Sequence, residues 1–304
     1  MKHHFLFGAG ASAFSGRCEP TNPPTGDKLF AALEGSLRCA KEIPGDIRAL
    51  FAPEFEAGMD AFWRARPELM QSFQQDMAKY FLQFGPTPSN HYVELIRILG
   101  SKRIAVNLAT LNYDLLIERS IESLGLRYHH PFGPPVPDAI PVFKLHGSCN
   151  IVPDLGGGSI SGILIDTGPP PEPGITVSGV GGGAAKTLTV TEMYDFLHSE
   201  QTLVPCVAMY HATKSIHDCF GPITRIRNFW RESLKTTERL FVIGTRFVPH
   251  DKHIWDPIGA FSGELCWVSP DASEAETWAK SRGLKFTHYA RTFEEFIPRY
   301  NRDF

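Results

Sequence analysis

The 304-residue chain is 42% hydrophobic and 21% charged, with a formal net charge of −3. That composition excludes a disordered or fibrous chain, and a chain this long buries most of its unfolded surface without a disulfide or metal staple. The small net charge gives no basis for nucleic acid or an anionic membrane as main partner, and no apolar stretch approaches the length of a membrane span.

The opening "MKHHFLFGAG" (1–10) carries an apolar run too short for a signal peptide, so a cytoplasmic protein is expected. Within it "HHFLF" (3–7) reads as a strand that runs into "GAGAS" (8–12). "DKLFAALEGSL" (27–37) is an amphipathic helix, and residues 60–84 read as one or two more. "NHYVELIRILG" (90–100) sets Tyr92, Leu95, Ile96 and Leu99 on one helical face and is expected to stop at Gly100. The strand "RIAVNL" (103–108) leads into "TLNYD" (110–114) and a helix, "YDLLIERSIESLG" (113–125), that stops at Gly125. A third strand, "PVFKL" (141–145), enters "LHGS" (145–148). Residues 151–186 are rich in Gly and Pro; a structureless loop that long is uncommon in a compact domain, and a lid, a linker or irregular β-structure are the readings open to it. Later strands are "RLFVIG" (239–244), entering "GTRF" (244–247), and "ELCWVS" (264–269), entering "SPD" (269–271). Pro270 is then a favoured first residue for a helix ending at Gly283.

The strands are continuous apolar runs rather than alternating ones, the pattern of strands buried on both faces of a parallel sheet. Helices fill the gaps. The fold class expected is therefore α/β with a doubly wound parallel sheet, as a single domain over 1–304. It carries a mostly helical insertion over 38–100 and a small module over 151–237 with a Gly/Pro-rich irregular loop and helices. The six cysteines, Cys18, Cys39, Cys149, Cys206, Cys219 and Cys266, form no CxxC pair. They read as free thiols in a reducing compartment, with no zinc ribbon.

Every strand ends in small or polar residues, and open parallel sheets bind ligands outside the carboxyl ends of their strands. Five such exits define one candidate edge. In "GAGAS", Gly8 and Gly10 would permit positive φ and close approach of a phosphate; a plain tight turn is the competing reading. In "TLNYD", Asn112 and Asp114 could cap the following helix. Thr110, Asn112 and Asp114 at alternate positions could also face one ligand, if the chain is still extended. His146, before Gly147, is a candidate general base or an ordinary structural histidine. The histidine pairs in "HDKH" (250–253) and "HATKSIHDC" (211–219) lack a third ligand nearby, so no metal site is expected.

Taken in order, "GAGAS", "TLNYD", "LHGS" and the late "VIGTRF" resemble the sirtuin-like superfamily of NAD-consuming enzymes. The resemblance implies a Rossmann-like domain with a smaller inserted module. It implies that Gly8, Ala9, Gly10, Ala11 and Ser12 form the pyrophosphate turn and that Asn112 positions ribose and water. It makes Asp114 the carboxylate that holds the nicotinamide amide, Thr110 its neighbour in the NAD site, and His146 the catalytic histidine. Gly244, Thr245 and Ser269 would line the adenosine half. Two departures stand out. No pair of CxxC motifs follows "LHGS", so no zinc is expected, and "SGRCEPTNPPTGDKLF" replaces the "GIPDFR" segment of sirtuin deacylases. What survives resembles bacterial sirtuin-like NAD hydrolases of anti-phage defence. That implies NAD as substrate, a homo-oligomer, and a HerA-type ATPase or, alternatively, a short Argonaute as partner subunit. A protein deacylase or ADP-ribosyltransferase is the alternative, and a catalytically silent NAD- or ADP-ribose-binding scaffold the second.

Overall fold

The computed structural model describes residues 2–52, 55–154, 184–199, 203–207, 220–249 and 251–304. Most of the Gly/Pro-rich stretch, the whole of 211–219 and the first histidine of the 250–253 pair lie outside the described residues. The chain divides into two compact units: Met1–Pro23 with Phe84–Leu145 and Arg225–Phe304, and Pro24–Gln83 with His146–Thr224.

The first unit is built on a seven-stranded sheet. Its strands are β1 (Lys2–Phe7), β2 (Ala105–Thr110), β3 (Arg127–His129), β4 (Ala139–Lys144), β5 (Arg239–Ile243), β6 (Glu264–Val268) and β7 (Lys285–Ala290). In space they run β7-β6-β5-β1-β2-β4-β3, every pair parallel. The five expected strands are the central ones. Phe5, Leu6 and Phe7 of β1 and Leu240 to Ile243 of β5 are buried, as continuous apolar runs require. The two strands that the apolar-run criterion passes over, β3 and β7, are the edges. β3 has three residues, and β7, "KFTHYA", mixes polar and apolar residues and is mostly not buried, so neither carries that signature.

Helices fill the crossovers. His91–Lys102 begins at Asn90, whose side chain accepts from the Tyr92 N–H, and it does not stop at Gly100. It runs two residues further and turns out through Arg103, which takes the left-handed conformation at φ 51°. An exposed glycine weakens a helix but does not end one. The helix after β6 likewise starts at Ser273 rather than Pro270, because the Asp271 carboxylate accepts from the Ser273 N–H.

The second unit packs the helices Gly26–Glu34, Gly45–Phe51, Phe55–Ala65, Met70–Leu82 and Val190–His198. Its core is aromatic: Phe30 stacks on Phe51 at 3.9 Å, and Phe73 meets Phe55 and Phe62. An antiparallel ribbon pairs Ile151–Pro153 with Ala185–Thr187. Cys206 is disulfide-bonded while Cys18, Cys39, Cys149 and Cys266 are thiols, so the expectation of free thiols throughout is corrected. Spacing along the sequence says nothing of the Cα separation that permits a bridge. No helix among the described residues is long and apolar enough to cross a membrane.

Candidate functional site

The register of the sheet brings the exits together. Phe7 lies level with Thr110 and with Ile243, Thr110 with Lys144, and Ile243 with Val268. Gly8, Leu111, Leu145, Gly244 and Ser269 therefore emerge side by side. The ladder runs one residue past the strands, from Gly8 N to Ile243 O (3.0 Å), Leu111 N to Phe7 O (2.9 Å), Leu145 N to Thr110 O (3.0 Å) and Gly244 N to Val268 O (2.9 Å). The chain leaves β1 toward β2 on one side and later returns to β5 on the other. The strand order thus reverses between β1 and β5, and such a switch point opens the crevice where doubly wound sheets bind ligands.

At that point two turns meet. Gly8 caps the short helix Ala9–Ala13, in which Ala9 and Gly10 are half-buried and Ala11 and Ser12 buried. Gly8 has φ −104°. It is glycine for another reason than positive φ: a Cβ there would lie 2.6 Å from Gly244 O and 2.6 Å from Thr245 Oγ1. Gly10 donates to Gly244 O at 2.9 Å. Gly244 itself has φ +62°, and its Cβ would meet the Ala11 nitrogen at 2.1 Å. The glycines thus let two backbones approach each other, and that close approach replaces the expected positive φ at Gly8 and Gly10. Thr245, 6% exposed, keeps a hydroxyl with no hydrogen-bond partner among the described residues, beside Gly8.

The three alternating polar residues each take a different job. β2 ends at Thr110, whose hydroxyl donates to Phe7 O (3.3 Å) and accepts from the Asn112 N–H (3.0 Å). Asn112, half-buried, donates through Nδ2 to Gly8 O and to Ser12 Oγ, both at 2.9 Å. Both bonds use the nitrogen, and neither uses Oδ1. Asp114 is buried and caps the next helix, its Oδ1 accepting from Leu116 N at 3.0 Å. Burial raises the Asp114 pKa against the opposing pull of Lys144. The capping reading therefore accounts for Asp114, while Asn112 ties the β2 exit to the β1 exit. Ser12 Oγ also meets the Tyr92 hydroxyl at 3.1 Å, so the helix His91–Lys102 buttresses the same point.

Leu145 is clamped from two sides, by its own N–H to Thr110 and by Arg227 Nε donating to its carbonyl at 2.8 Å. Burial lowers the Arg227 pKa to about 10. His146 follows directly and is half-buried. After it, Gly147 turns at φ +84°, where a Cβ would lie 1.9 Å from Cys206 O, and Ser148 N donates to that same oxygen at 2.9 Å. A loop approaches this glycine. Ser269 closes the row, its carbonyl accepting from His288 Nε2 at 2.8 Å.

Sequence reasoning passed over Ser12–Tyr92, Arg227, and a buried group formed by Lys144, Glu118 and His130. A signal existed for the last: Lys144 interrupts an otherwise apolar strand, and Glu118 lies four residues after Asp114 on the buried helix face. Among the described residues no group of three His, Cys, Asp or Glu side chains is placed to hold a metal ion.

No protein-family profile and no curated protein sequence matches the chain. Solved structures do. A Sir2 homologue variant in complex with ADP-ribose matches at 16% identity and a TM-score of 0.50, covering 99% of this chain and 92% of that one. A structure on the mechanism and regulation of Sir2 enzymes matches at 14% identity and a TM-score of 0.49, covering 99% and 92%. One on sirtuin substrate affinity matches at 15% and 0.49, covering 99% and 91%. The parallel sheet, its strand order and the first of these likenesses agree: the chain has a sirtuin-like, Rossmann-like α/β fold.

Proposed function

We propose that this chain binds NAD along the carboxyl edge of its sheet and hydrolyses the nicotinamide–ribose bond, giving nicotinamide and ADP-ribose. The observation that carries the reading is Asn112. Its amide is fixed at the switch point by two bonds through Nδ2, with Oδ1 engaged in neither. A capping residue needs no such double anchorage. The unpaired Thr245 hydroxyl beside the glycine turn offers a second polar contact to a nucleotide. ADP-ribose bound to a protein of the same fold supports the choice of ligand.

The leaving nicotinamide departs as a neutral ring from a cationic one, through a transition state with oxocarbenium character. In this reading the 8–12 turn and Thr245 hold the ADP-ribose portion. Asn112 Oδ1 accepts from a ribose hydroxyl or from the attacking water. His146 takes the proton that water gives up, a role worth on the order of 10²–10⁴-fold. Asp114 caps the next helix through Oδ1, and its part in holding the departing amide is proposed from the sequence resemblance. Action as an NAD-depleting effector in anti-phage defence, in the cytoplasm, as an oligomer with a HerA-type ATPase or a short Argonaute, is proposed from the sequence resemblance.

The test is nicotinamide release from NAD by purified protein, with and without an acyl-lysine peptide, beside Asn112→Ala. Release without peptide, lost in the variant, supports the hydrolase. Release only with peptide replaces it by deacylation. Binding of ADP-ribose without release in either tube replaces it by the scaffold.

A further inference from the structure

Beneath the Asn112 turn lies a set of buried charges that the proposed reaction does not use. Lys144, the last residue of β4, is fully buried, and Asp114 and Glu118 are buried with it. The Lys144 ammonium donates to the main-chain carbonyl of Asp114 at 2.5 Å and stands 3.2 Å from Glu118 Oε1. His130 Nε2 lies 3.7 Å from that same oxygen. Its Nδ1–H donates to Val142 O, and burial drives its pKa down to about 3, so the ring is neutral. Lys144 is therefore the cation that answers Glu118.

A buried lysine is expensive, since the ammonium gives up its hydration. A methionine would fill the same strand position at lower cost. The ammonium adds one thing an apolar side chain cannot: it reaches from β4 to the turn after β2 and holds a carbonyl there. Leu111 is held by the sheet ladder through Phe7 O and Leu115 by the helix through Arg119 N, but residues 112–114 between them belong to neither β2 nor the Leu116–Ser123 helix, so no strand or helix ladder fixes them. Asn112 stands two residues before the held carbonyl.

Building on the reading of this edge as the NAD site, we infer that Lys144 is a positioning residue. It clamps the Asp114 carbonyl so that the 111–115 turn presents Asn112 in one orientation, and Glu118 is the counter-charge that allows the ammonium to be buried. The alternative is a buried ion pair that serves stability alone. The two differ in one respect. Exchanging both partners for apolar residues removes the charge imbalance but does not restore the bond to Asp114.

The experiment compares Lys144→Met with the double variant Lys144→Met/Glu118→Met. It reads the melting temperature, amide hydrogen exchange over residues 111–117, and kcat and KM for nicotinamide release. The single variant is expected to melt lower because Glu118 is left unanswered, and the double variant to recover most of that loss. Both should exchange faster over 111–117, with exchange in the Phe293–Asp303 helix unchanged. Both should lose roughly tenfold to a hundredfold in kcat, the scale of a displaced catalytic group, with KM changing less. A double variant that recovers its melting temperature together with wild-type exchange and kcat would overturn the inference. Should the wild type release no nicotinamide and bind no ADP-ribose, the functional reading fails, and the exchange data alone decide whether Lys144 holds the turn.

Discussion

Gly244 offers a sharp test of the switch point, because the chain contains its own control. Gly244 and Gly283 both occupy the left-handed region, at φ +62° and +70°. An alanine at either pays the backbone cost of that conformation, about 1–2 kcal/mol. Their surroundings differ completely. A Cβ at Gly283 meets nothing within 4 Å, whereas one at Gly244 lies 2.1 Å from Ala11 N and 2.5 Å from Gly10 C. Those are main-chain atoms at the start of a helix and cannot swing aside as a side chain would. The β1 and β5 turns must separate, which adds an overpacking cost of about 1–3 kcal/mol. Gly244→Ala should therefore lose about 2–5 kcal/mol and Gly283→Ala about 1–2. At roughly 2 °C per kcal/mol for a chain of this size, thermal melts separate the two. The same displacement shifts Gly10 and Thr245, so ADP-ribose affinity measured by calorimetry should fall in Gly244→Ala and hold in Gly283→Ala. Equal melting temperatures for the two variants would refute the close approach of the turns, and with it the geometry assigned to the site.

Three further outcomes are expected. His146→Ala should lower nicotinamide release by about 10²–10⁴-fold; retained release removes His146 from the mechanism. Asn112→Asp exchanges the Nδ2 donor for an acceptor facing Gly8 O. It should weaken ADP-ribose binding by at least about tenfold, with urea midpoints showing a stability loss of about 1–3 kcal/mol from the unpaired carbonyl. Acid stability carries a sign fixed by the buried histidines. Burial lowers the pKa of His3 to about 4 and those of His4 and His130 to about 3. The unfolded chain, with histidines near 6.5, therefore binds more protons below that pH than the folded one. Stability is then full above about pH 6.5 and lost as pH falls toward 4, with a slope of up to about 4 kcal/mol per pH unit near pH 5 from three protons. Urea midpoints that stay constant from pH 7 to 5 would show these rings to be protonated or exposed in the fold.

The sheet was legible because burial on both faces leaves a simple mark. Phe5 to Phe7, Leu240 to Ile243 and Leu265 to Val268 sit in the interior, and each announces itself as a run of apolar residues. Edge strands have one solvent-facing flank and leave no such run, which is why β3 and β7 leave no mark in the sequence. Helix ends were harder, since Arg103 in a left-handed cap has no sequence signature that Gly100 does not imitate better. At the site, residue types identified the positions but not what each side chain holds. Thr110, Asn112 and Asp114 alternate, yet Asp114 caps its own helix as well as meeting Ser12, while Asn112 ties to Gly8 and Ser12. That choice depends on register between strands about a hundred residues apart, where Phe7 lies level with Thr110.

The buried charges near Asn112 give the arrangement its logic. A nucleotide-binding edge gains most when its polar groups are fixed before the ligand arrives, because ordering them afterward costs affinity and rate. Here the Asn112 amide is held by Gly8 and Ser12 in front, and its turn by Lys144 behind. Ser12 is in turn backed by Tyr92, whose ring packs against Phe7 and Phe293 of the core. Each link spends a buried polar group, which lowers stability unless every partner is present. Removing the Tyr92 hydroxyl deletes one link without touching the packing of the ring. If the links act as a chain, Tyr92→Phe should lower kcat for nicotinamide release several-fold while lowering the melting temperature by only about 2 °C, the cost of about one buried hydrogen bond. Combined with Asn112→Ala it should cost no more than Asn112→Ala alone, because the chain has already lost its end. Additive losses in that double-mutant cycle would show that Tyr92 and Asn112 act separately, and that the edge is held by independent contacts rather than by one connected network.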